Sequence, residues 1–287
     1  FRSIDAHTAN VQAMRRGWHT MSQRLPVPRG ITRTTAVIAS CDAEWLEPPA
    51  APDGKVLLYF HGGAYLMGSC ATHRPLVSQV IRASGVRALV PEYRLAPEHP
   101  FPAAIDDATA IYRALLADGY APDDIVVGGD SAGGGLTIAM LLTLRNCDEP
   151  LPGFVFLLSP WLDLTGAGES MRTRADRDPW FQPDAMHLVA DYYCREDQRS
   201  DPRASPVFAD LHGLPPVFIQ VGEDEILLSD STRLADGITA AGGEVEIEVW
   251  RDMWHVFQAF APYVPEAQRA IAGIARRMQP ALAAQRT

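Results

Sequence analysis

The chain has 287 residues, 47% hydrophobic and 21% charged, which fits one large α/β domain with or without a small appendage and excludes collagen-like, coiled-coil and disordered classes. Lys and Arg total 25 against 35 Asp and Glu, a net charge of −10 without a basic run, so no nucleic-acid partner is expected. No apolar run reaches the ~18 residues of a membrane span, and Cys41, Cys70, Cys147 and Cys194 show neither C-x-x-C nor zinc-ligand spacing, so neither metal nor cofactor is expected.

In chain order, Val11, Met14, Trp18, Met21 and Leu25 recur at three- and four-residue intervals, the pattern of an amphipathic helix that Pro26 and Pro28 end. The rest of residues 1–40 reads as extended. From about 54 to 160, wholly apolar runs alternate with helical patterns. The runs are Val56–Phe60, Val86–Val90, Ile125–Val127 and Phe154–Leu158, and the helices fall at about 73–84, 102–118 and 132–146. Strands apolar on both faces, separated by helices, predict a mostly parallel sheet covered on both sides. The alternation breaks at about 165–210, a stretch rich in Arg, Asp and Pro with Trp180, Phe181, Tyr192 and Tyr193. It resumes with a strand at Val217–Val221, a helix at 229–241, an alternating strand at Glu244–Trp250 and a mostly helical 256–283. The fold class is therefore α/β with an insertion between two core units. No leader-like segment is visible, and a cytoplasmic location is the expectation.

Gly129-Asp-Ser-Ala-Gly133 is a G-x-S-x-G. With Gly and Ser each near ~7% of residues, chance gives about one such match per ten chains of this length, so its context decides. A predicted strand precedes it and a helix-forming run follows, the strand–turn–helix of a nucleophile elbow, which marks Ser131 as a nucleophile. His61-Gly-Gly-Ala64 follows the first apolar strand. Its glycines let backbone N–H groups approach a developing oxyanion. Gly62, Gly63 and Ala64, together with Ala132 after the nucleophile, are the candidate donors. Which amides of the 62–64 loop point inward is not fixed by sequence. His61 reads as a structural part of that loop.

A serine nucleophile needs a base and an orienting acid, in the order Ser, acid, His for this elbow. His187 lies in the insertion and His212 before a strand, whereas His255 follows the last strand, and His255 is taken as the base. The strand at Val217–Val221 runs into Gly222-Glu-Asp-Glu225. Asp224 is the expected acid, ahead of Asp230, with Glu223 and Glu225 behind.

Five blocks resemble the bacterial hormone-sensitive-lipase-type carboxylesterases of the α/β-hydrolase superfamily: His61-Gly-Gly-Ala, Tyr93-Arg-Leu-Ala-Pro-Glu-His-Pro-Phe-Pro102, Gly129-Asp-Ser-Ala-Gly-Gly134, Gly222-Glu-Asp-Glu-Ile-Leu227 and Met253-Trp-His255. Ala64 stands where the family commonly has a third glycine. The resemblance implies an α/β-hydrolase domain over 41–287, with a small helical cap made from an N-terminal segment, 1–40, and the insertion at about 165–210. It also supports Asp224 as the acid. It implies a serine carboxylesterase acting through an acyl-enzyme on short- to medium-chain esters, with lactonase action on small cyclic esters, amide hydrolysis or a non-catalytic small-ligand receptor as the alternatives. Met67, Gly68, Trp18, Met21, Trp180 and Phe181 are candidate pocket walls. A small-molecule ester is the expected partner, with a homodimer through the edge of the last strand as a further expectation.

Overall fold

A computed structural model describes residues 11–283, so residues 1–10 of the expected N-terminal segment lie outside the described residues. Eight strands form one sheet: β1 (Thr32–Ile38), β2 (Cys41–Glu47), β3 (Val56–Phe60), β4 (Arg87–Pro91), β5 (Ile125–Asp130), β6 (Phe154–Leu158), β7 (Val217–Gly222) and β8 (Val245–Trp250). The helices are α1 (Val11–Ser22), α2 (Cys70–Ser84), α3 (Ala103–Ala117), α4 (Ala132–Asn146), α5 (Glu169–Thr173), α6 (Pro183–Tyr193), α7 (Leu228–Ala240) and α8 (Pro265–Ala283). The strand order is β1-β2-β4-β3-β5-β6-β7-β8, parallel from β4 to β8 and antiparallel at β1/β2 and β2/β4.

Alternation along the fully buried strands divides the core into two layers. Val56, Leu58 and Phe60 of β3 face a cluster that includes Ile111 of α3, Leu136 of α4 and Leu234 of α7. Leu57 and Tyr59 face the other cluster, with Val80 of α2 and Ile274 of α8. Helices therefore cover both faces, as wholly apolar strands require.

The chain winds outward from β3 to β4, then returns to add β5 on the other side of β3. That reversal opens a crevice beyond the C-terminal ends of β3 and β5, the place where open α/β sheets bind ligands. Each predicted core strand is present. The β1/β2 hairpin is an addition to the expected strands, with only β1 falling in chain read as extended, and it extends the sheet at an exposed edge where β1 is mostly solvent-facing. The segment between β6 and β7 leaves the sheet and forms α5, α6 and two short 3₁₀ turns. No helix among the described residues is long and apolar enough to cross a membrane.

Candidate active site

Ser131 occupies the turn between β5 and α4 with φ 52° and ψ −123°, a conformation that L-residues rarely adopt. Its backbone is fixed on both sides. Its N–H donates to Leu158 O at 2.9 Å, and its carbonyl accepts from Trp161 N at 2.9 Å. The turn is tight because α4 packs straight onto the end of β3: a Cβ on Gly133 would lie 2.1 Å from Phe60 O. Ser131 thus stands at the N-terminus of α4, where unpaired N–H groups and the helix dipole favour negative charge.

Across the crevice, Gly63 and Ala64 line the same cavity as Ser131 and His255. Ala64 carries φ 56°, the left-handed region in which the missing glycine would have been at ease. No backbone carbonyl accepts from the N–H groups of Gly63, Ala64 or Ala132 among the described residues, which leaves these three amides available to an oxyanion. Gly62 corrects the sequence expectation. Its N–H donates to Asp130 Oδ1 at 3.1 Å, so it is already bonded, and the residue is absent from the cavity wall.

Asp130, the variable residue of the G-x-S-x-G, is a fully buried anchor. It also accepts from Tyr59 Oη at 2.8 Å and lies 3.3 Å from His73 Nε2. Burial opposes its ionisation, but His73 and the Tyr59 hydroxyl outweigh that and hold its carboxyl below the usual range. The Tyr93–Pro102 block ties down the other side of the loop: Tyr93 Oη donates to His61 O at 2.6 Å, and Ala96 N donates to Tyr65 O at 2.9 Å. His61 stacks on Tyr93 at 4.3 Å and is driven down to a pKa of about 3 by burial and by His73. The ring is buried and absent from the cavity wall.

The carboxylate beside His255 is where the structure departs most from the sequence reading. His255 Nδ1 lies 2.9 Å from Glu225 Oε2, not from Asp224. Glu225 is completely buried, and its Oε1 accepts from Ser159 Oγ and from Gly222 N, both at 2.6 Å. Its side chain folds back three residues onto the end of β7, as the glutamate of a capping box does. Asp224 points the other way and pairs with Arg177 of the insertion. Asp230 is buried in the first turn of α7, where Oδ2 accepts from Leu162 N and Asp163 N at 2.7 and 2.9 Å. Burial, aided by Asp163, pushes its pKa up to about 7. A Glu225 carboxylate only accepts, and such a partner selects the His255 tautomer with its proton on Nδ1 and its lone pair on Nε2.

The cavity encloses ≈ 80 Å³. Trp18 and Met21 of α1 and Leu25 just beyond it form one wall, and Trp180, Phe181 and Met186 of the insertion form another. Phe181 stands edge-on to the His255 ring, with centroids 4.7 Å apart. Met67 and Gly68 do not line the cavity, in contrast to the other four walls expected from sequence. His187 and His212 are likewise absent from it.

Residues 57–259 match the family model described as the alpha/beta hydrolase fold. An acetyl-hydrolase of Streptomyces hygroscopicus is 42% identical over 247 residues, covering 86% of this chain and 81% of its own length. The crystal structure of an esterase from the bacterial hormone-sensitive lipase family superposes with a TM-score of 0.94 at 43% identity, covering 98% of this chain and 94% of the other. A crystal of EstE5 soaked with p-nitrophenyl butyrate gives a TM-score of 0.92 at 42% identity, with 96% and 93% covered. The chain belongs to the α/β-hydrolases, with the bacterial hormone-sensitive-lipase-type esterases, and is a carboxylic ester hydrolase.

Proposed function

We propose that the chain hydrolyses small carboxylic esters through an acyl-enzyme, with Ser131 as nucleophile, His255 as base and Glu225 as the triad acid. The observation that carries this reading is the buried Glu225–His255 bond beside a cavity that Ser131 also lines. Nε2 of His255 takes the Ser131 proton as Oγ attacks the ester carbonyl. The tetrahedral oxyanion is held by the N–H groups of Gly63, Ala64 and Ala132. Each such donor contributes about 2.7–4 kcal/mol to lowering the barrier. Glu225 keeps the imidazole in its Nδ1–H tautomer and stabilises the imidazolium. The imidazolium then returns its proton to the leaving alcohol. Water, deprotonated by His255, attacks the acyl-enzyme and frees the acid.

The cavity volume favours short acyl groups, being well below the ~300–1,000 Å³ of pockets for drug-sized ligands. The similarity to an acetyl-hydrolase points the same way. α1 and the insertion act as the cap over this pocket. A homodimer through β8 is part of the proposal: β8 is a sheet edge and Val249 is half exposed on it. Light scattering at micromolar concentration tests it, and a monomer mass rejects it.

A series of p-nitrophenyl esters from acetyl to dodecanoyl, with small lactones beside it, tests the substrate class. kcat/KM should peak at about two to four acyl carbons. A maximum at long chains would reject the small-acyl reading. Ser131→Ala and His255→Ala should each abolish turnover in a folded protein, and near-parental rates in either would remove the triad.

A further inference from the structure

The loop that carries Glu225 is held along four successive residues, 223–226, and much of the grip comes from the insertion. Arg174 Nε donates to Glu223 O at 2.9 Å, and Arg177 pairs with Asp224. Ile226, the residue after Glu225, has both backbone groups bonded to insertion side chains. Its N–H donates to Asp178 Oδ2 at 2.9 Å, and its carbonyl accepts from Ser170 Oγ at 2.5 Å. Asp178 itself is completely buried. Its other oxygen, Oδ1, accepts from Trp180 N at 2.8 Å and Phe181 N at 2.9 Å. One carboxylate is therefore bonded to backbone on both flanks of His255. One flank is the neighbour of its acid partner, and the other is the residue whose ring packs on the imidazole.

We propose that Asp178 is a positioning residue for turnover, locking the Glu225 loop and the Phe181 wall into one unit around His255, with Ser170 as its partner on the opposite side of Ile226. The proposal rests on reading Glu225 as the triad acid. Three charge-assisted acceptor contacts to backbone N–H groups exceed what a simple loop turn needs, and only two of them are local to the Asp178 turn. The third spans 48 residues and fixes the peptide that sets where Glu225 starts.

Asp178→Asn tests it, because the amide nitrogen cannot accept and must confront one of the two sets of N–H groups. In folded protein, judged by near-ultraviolet circular dichroism, kcat on p-nitrophenyl butyrate should fall about 10- to 100-fold with KM within about threefold, the scale expected of a misplaced catalytic group. The acidic limb of kcat/KM should move to lower pH, since a poorly placed Glu225 stabilises the imidazolium less. A folded Asp178→Asn with parental kcat and an unmoved limb overturns the proposal. Ser170→Ala, which frees the Ile226 carbonyl and the Ser229 N–H that donates to Ser170 Oγ at 2.8 Å, should lower kcat about 3- to 10-fold and move the limb the same way. If Asp178→Asn fails to fold, parental kcat and limb in Ser170→Ala overturn the proposal alone. Glu225→Gln run in parallel separates the two levels. An active Glu225→Gln removes the triad reading, whereas an inactive one beside unaffected Asp178 and Ser170 variants removes only the positioning role.

Discussion

Replacing Glu225 by Gln and, separately, Asp224 by Asn should split the two neighbouring acids by several orders of magnitude. The Glu225 carboxylate accepts three hydrogen bonds: Ser159 Oγ and Gly222 N on Oε1, and His255 on Oε2. A glutamine keeps one acceptor oxygen. Two donors compete for it at the Oε1 position against one at Oε2, so the amide settles with its oxygen toward Ser159 and Gly222 and its NH₂ toward His255. The imidazole must then accept at Nδ1 and carry its proton on Nε2, where the base lone pair is needed. Loss of the productive tautomer in a serine triad costs on the order of 10⁴ in kcat, equivalent to about 5 kcal/mol at ~1.4 kcal/mol per decade. Asp224→Asn removes an ion pair whose arginine side chain is 44% exposed, an interaction of about 0–1 kcal/mol. Its rate should stay within a few-fold of the parent. Both are read as kcat/KM on p-nitrophenyl butyrate, with circular dichroism confirming the fold. A four-decade loss in Asp224→Asn with near-parental Glu225→Gln would refute the geometric assignment and restore the acid expected from sequence.

Ala64→Gly relieves a left-handed residue whose strain is about 1–2 kcal/mol, partly offset by about 0.4–1 kcal/mol of added freedom in the unfolded chain. The melting temperature should rise by about 1–3 °C, with kcat/KM unchanged because the N–H remains; a large loss of activity would mean that the methyl group shapes the oxyanion hole. Gly62→Ala places a Cβ 2.2 Å from Asp130 Oδ2 and 2.9 Å from its carbonyl, so activity and thermal stability should both drop sharply; a variant melting and reacting like the parent contradicts that crowding. Asp230→Asn bears on pH. The folded value of about 7 lies above that of the unfolded chain, so the stability this carboxyl contributes is complete below its unfolded value near 3.8 and is lost as pH rises through about 7. In urea titrations the variant should match the parent near about pH 4 and be the more stable by about pH 8, and parallel pH–stability curves would refute the buried, proton-retaining carboxyl.

The central sheet was legible because its strands are apolar on both faces, and the tight turn at Ser131 because a G-x-S-x-G stands between a strand and a helix. The β1/β2 hairpin was harder to see. Its turn residues, Ala39 and Ser40, both take positive φ (48° and 68°) without the Asn-Gly or Gly-Gly pair that announces such a turn. Thr32–Ile38 is also largely exposed, so it lacks the apolar signal of the inner strands. The structure sets His255 against Glu225 and not the expected Asp224, because the three adjacent carboxylates Glu223, Asp224 and Glu225 all stand at the same strand end. Their fates are set by distant partners: Arg177 draws Asp224 outward, and Ser159, at the end of β6, receives Glu225. A weak local signal existed, since a glutamate three residues after Gly222 matches the reach of a side chain returning to that N–H. Gly62 was counted among the oxyanion donors because nothing in a G-x-S-x-G says that its variable aspartate will claim a backbone amide 68 residues away. The Tyr93–Pro102 block had no physical account in sequence, and its bonds to the carbonyls of His61 and Tyr65 now supply one.

The two walls of the cavity differ in how freely they can be exchanged. The α1 wall is fastened through Arg15, which donates to Leu66 O at 2.7 Å and Ala96 O at 2.9 Å and pairs with Glu98. These contacts hold a lid edge and leave the reacting groups alone, so grafts at Trp18, Met21 and Leu25 are the natural route to a new acyl preference. The opposite wall shares its chain with the bonds that grip the Glu225 loop. A transplanted insertion that brings a wider pocket but omits the Ser170 and Asp178 contacts would alter selectivity and erode turnover in the same stroke, so the two properties are independently tunable from one side of the cleft only.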